Sequence, residues 1–147
     1  MRILVLEDNE ERRRHFKKGL IGHTCAIVET AQDAIEALKA ETWEIAFLDH
    51  DLYQQAYVMS GPGTGYEVAE WLSRNKDRMP KRVYVHSFNE KGRKRMLEAL
   101  PEAIAVPGVW VNLAEFLKGG AHDDGSEVGD VPGMRLLRVR LWVPGAE

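Results

Sequence analysis

Polar residues stand directly behind three apolar runs. Glu7 and Asp8 follow Ile3 to Leu6, Asp49, His50 and Asp51 follow Glu44 to Leu48, and His86 and Ser87 follow Val83 to Val85, with Asn89 close behind. Gathered in one place, these side chains would bring four carboxylates, two imidazoles and a hydroxyl together. Like charges a few ångströms apart raise one another's pKa and oppose folding, so such a cluster calls for a cation or a proton. Oxygen donors favour Mg²⁺, Mn²⁺ or Ca²⁺, while the histidines would also admit a transition metal. Histidine titrates near neutrality and supplies an acid or a base. Taken singly, each residue also has a plain structural use: Glu7 or Asp8 can cap a helix and His86 can fill a polar gap.

The elements that must position these residues follow from hydrophobic periodicity. Residues 2–6 and 44–48 read as apolar strands covered on both faces, and Cys25 to Val28, Val83 to Val85 and Ala103 to Val106 as further strands. Between them lie helices. Asp8 or Asn9 can cap the first, Thr30 with Asp33 resembles a capping box for the second, Thr64 to Asn75 reads as the third and Glu90 to Leu100 as the fourth. A short last helix starts near Asn112. Five β-α units in succession imply an α/β fold, a parallel sheet between two helix layers with right-handed crossovers. In the common order 2-1-3-4-5, strands one, three and four are neighbours. Ligands bind beyond the C-terminal ends of such strands, so the polar endings are expected to converge on one crevice.

The chain has 147 residues, of which residues 1–118 account for this α/β domain. Residues 119–147 read as an extension of it: an acidic glycine-containing loop, then an alternating stretch from Met134 to Val143. Period two means a strand with one buried face. It is expected to add an extra C-terminal strand to the sheet edge, or to pair with a protein partner or a second copy. A single cysteine excludes an intramolecular disulfide and a Cys-rich zinc site. The opening apolar run is too short for a signal peptide or a membrane span, and the reading is a cytoplasmic protein without membrane contact. Hydrophobic residues at 44% and charged residues at 29% are the balance of an ordinary globule. The net charge of −3 argues against generic polyanion binding by the whole molecule but leaves room for a local basic patch.

At the strand endings the sequence resembles the response-regulator receiver domain, over about residues 1–118. The matches are Glu7-Asp8 after strand one, Asp49 after strand three and Ser87 after strand four. The resemblance implies a receiver-like (flavodoxin-like) fold, with Glu7, Asp8 and Asp49 holding a divalent metal, Mg²⁺ or Mn²⁺. It makes Asp49 the phosphoacceptor and Ser87 the hydroxyl that contacts the phosphoryl group. Two departures stand out. Receivers carry a lysine at the end of strand five, where this chain has Val106-Pro107, and the Leu-Pro that usually follows the phosphoacceptor is replaced by His50-Asp51-Leu52. Leu48-Asp49-His50-Asp51-Leu52, Gly63 to Ala69 and Val85-His86-Ser87-Phe88-Asn89 are similar to a narrower branch, the cyclic-phosphate-processing receiver-like family of bacteria and phages.

That resemblance implies metal-assisted hydrolysis of cyclic phosphate, on nucleotides or on 2′,3′-cyclic RNA ends. Asp49, His50, Asp51, His86 and Ser87 are then the catalytic candidates. Asp49 either helps hold a metal that activates water or attacks phosphorus itself. Asn89, Lys91 and Arg93, at the start of the fourth helix, are substrate-binding candidates, because helix N-termini and basic side chains favour anions. Arg12 to Arg14, Lys17 and Lys18 on the first helix, and Lys91 to Arg95 on the fourth, read either as a basic face for a nucleic-acid backbone or as solvated surface paired with nearby glutamates. The loop Ser60 to Gly65 is glycine-rich at a helix start without being a P-loop. Tyr53, Tyr57 and Phe88 can stack on a base or pack locally. The alternative of a different class is a non-catalytic signalling or interaction module, phosphorylated at Asp49 or binding a protein partner.

Overall fold

Runs of Ile, Leu, Val and Phe form the middle of the sheet because they are apolar on both sides of the pleat and must be covered on both. In the computed structural model, which describes residues 1–52, 59–87, 89–106, 113, 117 and 140–141, the strands are β1 (Arg2–Leu6), β2 (Thr24–Val28), β3 (Ile45–Leu48), β4 (Arg82–Val85), β5 (Ile104–Ala105) and β6 (Arg140–Leu141). The helices are α1 (Glu10–Gly19), α2 (Ala31–Ala40), α3 (Gly65–Arg74) and α4 (Glu90–Ala99), with a 3₁₀ turn at Lys76–Arg78. The sheet is parallel, in the order β5-β4-β3-β1-β2-β6. Its first five strands thus adopt the expected 2-1-3-4-5 arrangement. The extra strand lies outside β2, pairing Thr24 with Arg140 and Cys25 with Leu141. Most of the alternating Met134 to Val143 stretch, the acidic loop and the start of the last helix lie outside the described residues.

Alternation along the strands builds two cores. Leu4, Leu6, Ala46, Leu48, Val83 and Val85 face one side and pack with residues of α2, α3 and α4. Ile3, Val5, Phe47 and Tyr84 face the other and pack with Phe16 and Leu20, Val106 and Leu113. Cys25 belongs to this second core, and burial pushes its thiol up to about 12, which makes it an inert hydrophobe. Trp43 is buried, its indole N–H donating to the Ala37 carbonyl, and Trp71 is partly buried against the first core.

The helix starts follow the capping chemistry of the sequence. Asn9, Thr30 and Asn89 each accept a backbone N–H three residues on, from Arg12, Asp33 and Gly92. Thr64 precedes α3 without capping it by side chain. Its hydroxyl instead donates to the Gly61 carbonyl, across a turn in which Gly63 takes φ 82°. That left-handed backbone is the glycine requirement in this loop.

Candidate functional site

Register sets the level of every functional group. Leu6 is level with Leu48, and Leu48 with Val85. The ladder continues one residue further, with Asp49 N–H donating to Leu6 and His86 N–H to Leu48. Glu7, Asp49 and His86 therefore emerge side by side from three adjacent strands. Their parity matches Val5, Phe47 and Tyr84, which places them on the α1 side of the sheet. His50 has the parity of Leu48 and lies on the other side, against α4. The single crevice expected from the strand endings is thus two groups of side chains, divided by the sheet.

On the α1 side, Glu7, Asp8 and Asp49 each offer a carboxylate oxygen within 4.8 Å of the others, and all three residues are buried. Arg12, one turn into α1, reaches back to them: its guanidinium is 3.0 Å from Glu7 Oε1 and 3.5 Å from Asp49 Oδ2. His86 Nε2 is 3.1 Å from Glu7 Oε2, and its ring lies 5.1 Å from that of Phe16. Burial pushes Glu7 up, but the hydrogen bond and charge of His86, together with Arg12 and the Asn9 N–H, hold it below the ordinary carboxylate range. Asp49 goes the other way. Burial first, and then the negative charge of Glu7, raise it to about 8 against the opposing pull of Arg12. Asp49 Oδ1 accepts the His50 N–H, while Oδ2 is buried without a hydrogen-bond partner. A hard divalent cation fits this donor set: three converging carboxylates, one with an unbonded buried oxygen.

On the opposite side, the fully buried His50 ring is held at both nitrogens. Nδ1 is 2.8 Å from Asp51 Oδ1 and Nε2 is 2.9 Å from Ser60 Oγ. Asn89 adds a second donor to the same Asp51 oxygen at 3.0 Å. The ring occupies space that only glycine leaves open, since a Cβ on Gly92 would lie 2.4 Å from it. Gly65 is constrained likewise, its N–H donating to the His50 carbonyl and a Cβ colliding with the Asp49 carbonyl. Gly92→Ala is expected to cost about 2 kcal/mol, because a packed ring must move. A urea midpoint equal to that of the wild type would show that His50 does not depend on this gap.

The remaining candidates divide. The Ser87 hydroxyl is buried and accepts the Asn89 N–H, while Arg93 donates to the Ser87 carbonyl and so braces the start of α4. Lys91 is exposed. On α1, Arg14 pairs with Glu10 and Arg13 with Glu29, while Lys17 and Lys18 are exposed. Tyr53, Tyr57 and Phe88 lie outside the described residues. Sequence reasoning missed the roles of Arg12 and Ser60. Arg12 reads as one of a basic run, and Ser60 as part of a glycine loop ten residues beyond His50.

Residues 2–102 match the family model described as the cyclic-phosphate processing receiver domain. The chain belongs to this family. The receiver fold is also that of solved structures at low identity. A CheY-like receiver domain from Methanospirillum hungatei is 21% identical, with a TM-score of 0.60 over 79% of this chain and 86% of that one. The Mn²⁺-bound response regulator Rcp1 is 20% identical, with a TM-score of 0.56 over 72% of this chain and 79% of that one. Response regulator TrrA from Thermotoga maritima, solved with Mg²⁺ and BeF, is 22% identical, with a TM-score of 0.58 over 80% of this chain and 96% of that one. Among curated protein sequences none matches the chain. In this receiver domain no described helix is long and apolar enough to cross a membrane.

Proposed function

We propose that this receiver domain is a phosphoryl-accepting signalling module of the cytoplasm, with Asp49 as the acceptor and Mg²⁺ or Mn²⁺ held by Glu7, Asp8 and Asp49. The observation that carries this reading is the buried acidic trio around Asp49 Oδ2, which accepts no hydrogen bond and has only the Arg12 guanidinium 3.5 Å away. The Mn²⁺ of Rcp1 and the Mg²⁺ of TrrA lend it support by analogy of fold. The ion supplies charge neutralisation at the carboxylates and at an incoming phosphoryl group. Asp49 Oδ2 attacks phosphorus, the new P–O bond forms as the bond to the donor's leaving group breaks, and Asp49 must be ionised to react. Arg12 takes the part that a strand-five lysine plays in other receivers, as the cation 3.5 Å from Asp49. Because it belongs to α1, a phosphoryl group that pulls on it reports to that helix.

A second reading is hydrolysis of a cyclic phosphate on a nucleotide or RNA end, favoured by the description of the matched family and by the buried His86 beside Glu7. His86 then serves as acid or base, its Nδ1 having no hydrogen-bond partner among the described residues. One experiment addresses both readings. The protein is incubated with Mg²⁺ and either acetyl phosphate or a 2′,3′-cyclic nucleotide. The signalling reading predicts a gain of one phosphoryl mass that Asp49→Ala abolishes, and an unmodified wild type sinks it. Turnover of the cyclic nucleotide, lost in His86→Ala, would instead establish the hydrolase.

A further inference from the structure

A groove of about 320 Å³ lies along α3, closed by Ile35 of α2 and by the turn at Gly61 and Pro62. Its volume falls in the lower part of the range of small-molecule sites, about 300 to 1,000 Å³. Helical spacing organises its α3 wall. Glu67 and Trp71 are four residues apart, as are Glu70 and Arg74, so each pair shares a side of the helix. Tyr66 and Trp71 are partly buried and pack against the first core, which fixes their place before any ligand arrives.

The charges along this groove do not cancel. Arg74 pairs with Glu70, and Glu67 has no ion-pair partner among the described residues. Lys39, the cation of α2, is taken up by Glu36. The groove therefore keeps one negative charge among apolar and aromatic walls. A hard metal ion does not suit it, because such an ion needs several converging oxygens. Glu7, Asp8 and Asp49 supply that arrangement, and among the described residues Glu67 and Glu70 belong to no such group. An organic cation suits it well. Tryptophan and tyrosine rings attract positive charge, Ile35 and Pro62 offer apolar contact to the rest of the molecule, and Glu67 neutralises the ammonium.

We propose that this groove binds a small organic cation, an ammonium or quaternary ammonium group carried on an aromatic or alkyl body, between Trp71, Tyr66 and Glu67. The site is separate from the acidic trio. Val68, Ala69 and Leu72 seat α3 on the first core, whereas Glu7 and Asp49 emerge on the α1 side of the sheet. Binding here is independent of the phosphoacceptor reading.

The test titrates the isotope-labelled full chain in EDTA with benzyltrimethylammonium, followed by NMR. Phenylacetate and benzyl alcohol serve as anionic and neutral aromatic controls. Saturable shifts are expected at the amides of residues 66–71 and at the Trp71 indole, with a Kd on the order of 1 mM. Both controls are expected to bind at least about tenfold more weakly. Trp71→Leu removes the ring but keeps an apolar side chain, and weakens the cation about tenfold. Glu67→Gln weakens it about fivefold. Glu67 is only partly buried and outside the core, so this variant keeps the wild-type melting temperature and its loss of binding is not a loss of fold. Equal binding of benzyl alcohol, shifts centred on Glu7 and Asp49 instead of α3, no saturable shift up to about 10 mM, or a Glu67→Gln variant that binds as tightly as the wild type overturns the proposal.

Discussion

Replacing Asp49 with asparagine is expected to raise the melting temperature of the metal-free protein by about 5 °C at pH 8.5, a gain of at least about 2 kcal/mol. Asp49 is 3% exposed, and burial together with the charge of Glu7 lifts its carboxyl from the ordinary 3.8 to about 8. A raised acid binds its proton more tightly in the folded chain than in the unfolded one. Stability therefore falls as pH rises between these two values, and the penalty is fully present above about 8. Asparagine keeps the shape and an acceptor for the His50 N–H, but never ionises. Its advantage is accordingly expected to shrink as the pH is lowered from 8 toward 3.8 and to vanish below that value, where the aspartic acid becomes neutral in both states. Millimolar Mn²⁺ should reverse the ranking, because it stabilises only the chain with a complete trio. An asparagine variant that melts no higher than the wild type at pH 8.5 would mean that Asp49 is not held at a charge-averse site.

Arg12→Gln is expected to act in the opposite direction, lowering stability by about 3 kcal/mol at pH 8.5 in EDTA, or about 8 °C in melting temperature. Removing one partner of a buried charge group leaves the others uncompensated. Here the guanidinium spans Glu7 and Asp49 at 3.0 and 3.5 Å, and its own pKa is raised by the hydrogen bond and charge of Glu7 in spite of burial. The loss should be recovered by millimolar Mg²⁺ or Mn²⁺, with a larger ion-induced shift than in the wild type, since Arg12 and the ion neutralise the same carboxylates. Thermal melts of both proteins across a metal titration check this. A variant as stable as the wild type in EDTA would assign the compensation to His86 alone.

These results rest on features of unequal legibility in the sequence. The order of strands, their polar endings and the caps at Asn9, Thr30 and Asn89 follow from periodicity and residue chemistry that act over a few positions. The partition of the endings between two faces does not. It depends on the register of β1, β3 and β4, and a slip of one residue would exchange every side chain between the faces. Arg12 was hidden for a related reason: among three consecutive arginines, the one that reaches Glu7 is decided by the rotation of α1 about its axis. Ser60 is further still from local rules. It meets His50 through a loop whose closure is set by Thr64, Gly61 and the start of α3. The C-terminal strand was legible as an edge element, and the pairing of Arg140–Leu141 with β2 places its described part on this chain's own sheet.

The central claim is that Glu7, Asp8 and Asp49 hold a divalent ion and deliver a phosphoryl group to Asp49. A crystal structure of the protein with Mg²⁺ and beryllofluoride tests it most directly. The account predicts a metal ion bound by all three carboxylates, beryllofluoride joined to Asp49 and Arg12 drawn away from Glu7. Arg12 still bridging Glu7 and Asp49, with neither ion present at saturating concentration, would contradict it.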